Sequence, residues 1–364
     1  MFRIELDKCF EIPQLQIELI GHYSIDGNSK YRGDLSQLKY YVPPLDFNNV
    51  NYDLNENIAS TKYKPNSYVK LDDVCKWILN NFTRVERLMS TEKDRWLNVD
   101  FVCRRGAFTT ILSSPYVQYD CDWIICASKY RGTIYLCKFY TDAQERNHGN
   151  SMDKRGEAWG FKFEQYMVAD HPSHQPDTSK PVNASEAFHC VFQANYGDHS
   201  LLYEAEIDGI VSQDYITDTL VGKQFEIIEL KTIGFRQIEQ LSAKFTPKKI
   251  SDMWNQNSLA GVRRSIFGLR EGKSSIVKSI QECSTDDLLN LSFAHFNVNH
   301  CKAFCKLFLD NVKKIVTKDH NECMYKFYRD TRNKNTIYYS EEAPDNDKYI
   351  FLKPQFIHEA DKYK

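Results

Sequence analysis

Two short stretches carry acids where a buried strand should carry apolar groups. In FEIIELKT, residues 225–232, strand side chains alternate between faces, so Phe225, Ile227, Glu229 and Lys231 point one way. Upstream, YEAEIDGIV sets Glu204, Glu206 and Asp208 at alternate positions, which on a strand again share one face. Charged side chains are rarely set into a sheet unless they pair or hold a cation. A hard divalent ion such as Mg²⁺ resolves that cost, because it prefers carboxylate oxygens and water. Lys231 then adds a positive charge suited to a phosphate or to an attacking water. An acid, a loop of about 20 residues and then Glu-x-Lys is a pattern of metal-dependent nucleases. There the acids hold metals that lower the pKa of bound water and neutralise charge on the scissile phosphate, and the lysine orients the nucleophile. The plain alternative is a solvent-facing edge pair joined by a salt bridge. The acid triplet on the neighbouring strand weighs against it.

Three further residues stand out against their surroundings. Glu164 in GFKFEQYM is an acid with aromatics on both sides. Gln256 in MWNQNSLAG is polar among Met253, Trp254 and Leu259, and reads otherwise as a surface amide. Arg105 in CRRGAF lies close to apolar residues, where a snorkelling arginine is the ordinary explanation.

The elements that must position these groups follow from periodicity. LDDVCKWILNNF is an amphipathic helix with Leu71, Val74, Cys75, Ile78 and Leu79 on one stripe. A second helical stretch is expected from about Asn98 to Leu112, interrupted at Arg104-Arg105-Gly106. WIICASKYRGTIYLCKFY offers two strands joined by a turn near Arg131-Gly132. TDAQERNHGNSMDKR reads as a polar linker. GEAWGFKFEQYMVAD reads as a helix with Trp159, Phe163 and Met167 in line, and the loop HPSHQPDTSKP follows it. AFHCVFQANY, LLYEAEIDGIVS and FEIIELKT are the expected core strands. KFTPKKISDMWNQNSLAGV is a helix, FGLREGKSSIVKSI a hairpin, NHCKAFCKLFLDNVKKIV an amphipathic helix, and TIYYSEE and YIFLKPQFI closing strands. Residues 1–65 read as irregular structure with short strands. With no repeat or break in composition, one α+β domain is the simplest organisation.

Composition sets limits on the function. The 364 residues carry 47 Lys and Arg against 49 Asp and Glu, a formal net charge of −2, so no global basic field advertises nucleic acid. A local positive groove suffices for an enzyme that grips one strand end. Aromatic residues, 13% of the chain, serve either a tight core or stacking platforms. Eleven scattered cysteines without paired spacing argue against a secreted disulfide framework and for a reducing compartment. Cys121, Cys126 and His189-Cys190 lack the spacing of a zinc site. The opening MFRIELDKCFEIPQ is not a signal peptide, and no run reaches the roughly 18 apolar residues of a membrane span. An intracellular protein, in nucleus or cytoplasm and off the membrane, is expected.

In their order, these stretches resemble the DXO family of decapping exoribonucleases. RRGAFTTILSSPY is similar to the family's arginine motif, GFKFEQYM to its Gly-aromatic-x-aromatic-Glu helix motif, EAEIDG to its Glu-x-Asp motif, FEIIELKT to its Glu-x-Lys motif and MWNQNSLAG to its final glutamine motif. GDLSQLKYYVPP and FLKPQFI extend the likeness over nearly the whole chain, which implies one catalytic domain over 1–364. The implied fold is an α/β domain of two mixed sheets flanked by helices, with a pocket above the acids. The resemblance implies that Glu164, Asp208 and Glu229, with the carbonyl of Leu230, hold divalent ions, two of Mg²⁺ or Mn²⁺. It implies that Glu206 contacts a metal-bound water or the substrate, that Lys231 and Gln256 hold the scissile phosphate or the nucleophilic water, and that Arg105 binds RNA phosphates with Arg104 and Gly106 beside it. The backbone around His189 would line the nucleotide path. The implied activity is hydrolysis at RNA 5′ ends by a monomer, removing incomplete, triphosphate or NAD caps, with 5′-to-3′ degradation after it.

Two positions depart from that pattern. Arg104 stands where better-known members carry an aromatic residue, and Ser29, beside Lys30, stands where a basic residue is expected. Both bear on which cap is preferred, and neither touches the acids. No extended N-terminal tail or basic targeting run precedes the core in this sequence. Two other functions share the constellation. A binding module would hold RNA 5′ ends or activate a partner 5′-exonuclease without chemistry, and the presence of every motif acid argues against it. A DNA nuclease would differ in contacts to the ribose 2′-hydroxyl.

Overall fold

The computed structural model describes residues 1–9, 11–64, 70–87, 96–117, 123–147, 151–234, 246–291, 296–330, 332 and 335–363. Among these, seventeen strands form two mixed sheets. The first has ten: β1 (Phe2–Arg3), β2 (Leu15–Ile25), β3 (Tyr31–Arg32), β6 (Phe101–Arg104), β7 (Trp123–Tyr130), β8 (Thr133–Phe139), β10 (Ala187–Tyr196), β11 (His199–Glu206), β16 (Met324–Arg329) and β17 (Thr336–Glu342). Their spatial order is β1-β17-β16-β7-β8-β6-β11-β10-β2-β3. The second has seven: β4 (Tyr40–Tyr41), β5 (Tyr52–Asp53), β9 (Val168–Ala169), β12 (Gly209–Val211), β13 (Glu226–Ile233), β14 (Arg264–Arg270) and β15 (Ile276–Ser284), in the order β5-β15-β14-β13-β12-β4-β9. The helices are α1 (Asp72–Asn80), α2 (Phe82–Val85), α3 (Arg105–Leu112), α4 (Asp142–Asn147), α5 (Ser151–Met167), α6 (Pro247–Ala260), α7 (Val298–Ile315) and α8 (Pro354–Ala360).

Apolar faces decide the layering. One face of the ten-stranded sheet packs under α3 and α7 through Phe108, Ile111, Phe304 and Phe308, in a cluster that also takes in Ile210 and Ile227 of the second sheet. Its other face packs under α1 and α8 through Trp77, Ile78 and Phe356. In the second sheet, Ile228, Leu230 and Ile266 meet Trp159, Phe163 and Met167 of α5, whereas Phe267 and Leu269 meet Ile250 and Met253 of α6. The alternation of period two on β13 and β14 therefore directs one set of side chains to each helix.

The expected hairpin of β7 and β8 turns at Arg131 and Gly132, both with positive φ (45° and 77°), a geometry that matches strand twist. α6 starts as read, with Pro247 in its first turn and the Thr246 hydroxyl accepting from the N–H of Lys249 at 3.3 Å. The residues Lys244 and Phe245, assigned to it from sequence, lie outside the described residues.

Four expectations change. Residues 15–25, taken as part of an irregular region, form the long strand β2 along β10. The alternation Leu15, Ile17, Leu19 against Gln16 and Glu18 carries it. The expected helix from Asn98 splits, because Phe101, Val102 and Cys103 slot in parallel between β8 and β11 and are buried, so α3 begins only at Arg105. The polar linker contains α4. YIFLKPQFI closes the chain as helix, not strand, with Pro354 in the first turn of α8, where its fixed φ suits a helix start. Among the described residues no helix is long and apolar enough to cross a membrane. The ten described cysteines, Cys126 and Cys190 included, are free thiols, and Cys121 lies outside the described residues.

Candidate active site

The acids meet where one chain segment passes between the two sheets. β11 pairs with β6 as far as Glu204 and with β10 as far as Glu206, and three residues later, at Gly209, the chain re-enters pairing as β12, antiparallel to β13. β12 begins at Gly209, opposite Ile228, so beyond Ile228 the edge of β13 has no partner from β12. Asp208 sits at that gap, and its Oδ2 accepts the N–H of Leu230 at 2.7 Å. Leu230 turns toward α5 and Glu229 toward the opposite face, as the strand period requires. There Lys231 Nζ donates to Glu229 Oε1 at 2.5 Å. Arg105, the first residue of α3, brings its Nη1 to 4.0 Å from Glu229 Oε2. That nitrogen is buried and finds no hydrogen-bond acceptor among the described residues.

Glu164 arrives from the α5 side. Phe163 lies against Gly268, where an added Cβ would come within 2.6 Å of the Phe163 ring, so the bare backbone of β14 lets α5 approach closely. Glu164 follows directly and stands close enough to feel the other acids. Burial, then the charges of Asp208, Glu206 and Glu229, push its carboxyl well above the usual range. Burial and Glu229 push Asp208 up to about 8. Glu229 goes the other way: burial opposes its charge, but Lys231 and Arg105 outweigh it. In turn the acids Glu229 and Asp208 hold Lys231 protonated against its own burial.

The triplet Glu204, Glu206, Asp208 is not one row of equivalent acids. Glu204 and Glu206 share the face of β11, but Asp208 lies past the strand end. Glu204, 2% exposed, accepts from Arg104 and pairs with His189 Nδ1 at 2.6 Å. Arg104 ends β6 and His189 lies on β10, so this bond set ties three adjacent strands together just before the acids. Burial opposes the Glu204 charge, yet Arg104 and His189 hold its carboxyl below the usual range. His189 also stacks on Tyr23 of β2, centroids 4.8 Å apart and planes 11° apart. Arg104 and the side chain of His189 thus have partners within the chain.

One cleft reaches the acids, and a second runs between α3 and α6. The first, about 630 Å³, is bordered by Glu164, Glu206 and Asp208 and, farther out, by Lys39, His174 and Lys180. The other, about 360 Å³, is bordered by Gly106 and Thr110 of α3 and by Lys248 and Gln256 of α6. Gln256 is therefore half-buried at a cleft wall and not a plain surface amide. Asn255 beside it donates to Ser113 Oγ at 3.1 Å and fixes α6 against the end of α3. Two cations escaped the sequence reading. Lys64 Nζ approaches Glu206 at 3.7 Å. Lys249 is held below the usual lysine range by burial and by the charge of Lys231. The TPKK run beside MWNQN signalled the second; Lys64, in a Tyr- and Pro-rich coil, left no periodic signal.

The donors suit a hard cation. The ligands expected from the sequence are carboxylates and the Leu230 carbonyl, and the repulsion from neighbouring acids that adds to burial in raising Glu164 and Asp208 is what a divalent ion relieves. Among the described residues no three His, Cys, Asp or Glu side chains already form a metal-holding group. Glu229 is turned to Lys231 and Asp208 to the Leu230 N–H, so both carboxylates already have partners within the chain.

Comparison with known proteins agrees with this fold. A family model described as RAI1-like PD-(D/E)XK nuclease matches residues 16–357. The decapping and exoribonuclease protein of Bos taurus is 28% identical over 346 residues, 93% of this chain and 83% of that protein. Its namesake in Xenopus laevis is 29% identical over 321 residues, 85% of this chain and 78% of that protein. Among solved structures, Candida albicans Rai1 in complex with pU5-Mn²⁺ superposes with a TM-score of 0.80 at 20% identity, over 100% of this chain and 99% of that one. Scheffersomyces stipitis Rai1 in complex with (3′-NADP)⁺ and calcium ion gives 0.78 at 20% identity, over 100% of both chains.

Proposed function

Because the chain belongs to the RAI1-like PD-(D/E)XK nuclease family, we propose that it is a divalent-metal-dependent hydrolase of RNA 5′ ends. It removes incomplete, triphosphate or NAD caps and then degrades the RNA from the 5′ end, as one catalytic unit over residues 1–364. The observation that carries this reading is the crowd of carboxylates, Glu164, Asp208 and Glu229, at the gap beside β13, with Glu164 and Asp208 bordering an open cleft of about 630 Å³. The names of the relatives in cattle and frog, and the RNA and nucleotide ligands named for the fungal Rai1 structures, support the choice of substrate.

Glu164, Asp208, Glu229 and the Leu230 carbonyl would hold the ions, two of Mg²⁺ or Mn²⁺. When bound, such ions lower the pKa of a water and neutralise charge on phosphate. Lys231, kept protonated by Glu229, offers its ammonium to the scissile phosphate. Gln256 holds the same phosphate from the side of α6. Arg105, with an unsatisfied Nη1, takes a phosphate oxygen of the RNA, beside Arg104 and Gly106. Glu206 contacts the substrate or the attacking water, and the backbone at His189 lines the nucleotide path.

One assay tests this. Short RNAs bearing a 5′ monophosphate, triphosphate, unmethylated cap, methylated cap or NAD are incubated with the protein and manganese, and product sizes are read. Release of the end group followed by shortening is expected for at least one end. Intact RNA across the whole panel refutes the reading.

A further inference from the structure

The cleft that reaches Glu164, Glu206 and Asp208 has an aromatic wall that the chemistry above does not use. His174 borders the cleft. Its ring stacks on His171, with centroids 4.6 Å apart and planes 30° apart. His171 stacks in turn on Tyr215 at 4.6 Å, and Tyr215 meets the buried Tyr40 at 5.9 Å. Four rings thus run in a ladder-like series from the core to the cleft, and both Tyr215 and the terminal ring, His174, are exposed. The series ends in solvent on the wall of the cleft that the acids also border.

The ladder is built, not incidental. β9 and β12 both pair with β4, at Tyr40 opposite Ala169 and Ile210. β9 directly follows α5, which delivers Glu164, and β12 directly follows Asp208. The two chain segments that leave the acids therefore flank β4 on either side, and their continuations meet at His171 and Tyr215. Each turn is pinned. Ser173 donates its N–H to His171 Nδ1 at 3.2 Å and holds its Oγ at 2.8 Å from the same nitrogen. The N–H of His174 closes the turn on the His171 carbonyl at 3.1 Å. On the other side, Ile216 donates its N–H to Tyr40 Oη at 2.8 Å. His171 is fixed in orientation, and His174 presents the end of a preorganised stack.

A flat ring at the end of a rigid stack, on the wall of a cleft whose floor suits phosphate chemistry, fits a nucleobase. Every base has a π-face, so such a contact tolerates sequence and adds grip on a single strand. We propose that His174, backed by His171 and Tyr215, is a stacking subsite for one nucleobase of the RNA whose 5′ end reaches the acids. This rests on the reading of the acids as an RNA 5′-end hydrolase.

The test separates the two. A 5′-monophosphorylated pentaribonucleotide with phosphorothioate linkages carries 2-aminopurine at one position at a time, and its fluorescence is read on the full-length protein, on His174→Ala and on His174→Phe. Stacking quenches the probe. Quenching is expected at one position with the wild type, lost in His174→Ala and restored in His174→Phe. In parallel, hydrolysis of the all-phosphodiester RNA in manganese should show the loss in His174→Ala mainly on KM, on the order of tenfold, with His174→Phe near the wild type. RNA that is hydrolysed with the same KM and the same quenching in His174→Ala overturns the subsite and leaves the hydrolase reading standing. Quenching that depends on position 174 in a protein that hydrolyses no RNA supports the subsite and overturns the hydrolase reading. No binding of RNA to the wild type overturns both.

Discussion

Two groups of buried charge lie within a few residues of each other on the β11–β12 segment, and they behave in opposite ways. Around Glu204 every charge is answered. Arg104 and His189 converge on it from both neighbouring strands, and its carboxyl is held ionised despite burial. Around Asp208 the charges are left in conflict. Glu164 and Asp208 are pushed toward protonation by burial and by neighbouring acids, Glu229 and Glu206 among them, and of Glu164, Asp208 and Glu229 the cations outweigh burial only at Glu229. A buried ion pair with its hydrogen bonds complete is a structural fastening. Like charges crowded beside an open cleft are a cost that a proton or a bound cation relieves, and perturbation of this kind gathers at functional sites. The difference divides the acids of one strand segment into those that hold the fold and those that await a ligand.

The largest effect should fall on the unresolved group. Glu229→Ala is expected to lower hydrolysis of 5′-end-modified RNA in Mg²⁺ or Mn²⁺ by about a thousandfold or more, because a ligand and the partner of Lys231 vanish together. Its fold, read by circular dichroism, should persist. Wild-type turnover in that variant would break the division at its first step. The answered group should respond in the reverse sense. Glu204→Ala leaves Arg104 and His189 buried without their acid, and a loss of about 3–5 kcal/mol in urea unfolding is expected. A loss near zero would mean that the fastening holds nothing.

The same division explains what the sequence could and could not reveal. Glu229 and Lys231 were legible because strand alternation has a period of two and both fall on one face. Glu164 was legible because Trp159, Phe163 and Met167 mark the helix that carries it. The role of Glu204 was not, since alternation alone makes Glu204, Glu206 and Asp208 equivalent. Only the passage from one sheet to the other between Glu206 and Gly209 separates them, and that is a fact of tertiary pairing. β6 failed for a related reason. Four residues, FVCR, are too few to set a period, and their strand state comes from β8 and β11 on either side. β2 was the avoidable miss, because its alternation was present beneath the polar composition of its neighbours. Lys64 and the ring ladder depend on coil segments meeting in space, which no spacing encodes.

A smaller effect sharpens the comparison further. Glu164→Gln replaces a carboxyl that must keep its proton in the folded state with a neutral amide, so the metal-free protein should gain on the order of 1 kcal/mol of stability at neutral pH. Manganese should reverse the ranking. At a hundredfold excess over Kd the wild type gains about 2.7 kcal/mol, whereas the variant, lacking a ligand, gains less. Thermal unfolding in EDTA and in manganese reads both.

The smallest effect is a pH slope, and its sign differs between the two groups. Glu204 has a folded pKa below its unfolded one, so its contribution is present above the ordinary glutamate value of 4.5 and is lost as pH falls below it. Asp208 has a folded pKa raised from 3.8 to about 8, so across that interval the folded state binds the extra proton. The slope of stability with pH is then negative, and the metal-free protein loses stability as pH rises from 5 to 8, by about 1 kcal/mol or less per pH unit. Asp208→Asn abolishes that site and should make the slope shallower, the remainder coming from the raised carboxyl of Glu164, while leaving the acid-side loss from Glu204 in place. In manganese the wild-type slope should turn positive, because an ion binds only the deprotonated carboxylates. Urea unfolding at pH 5, 6.5 and 8, in EDTA and in manganese, decides it: a wild-type curve with the same slope in both would mean that Asp208 neither keeps its proton in the free protein nor surrenders it to a metal.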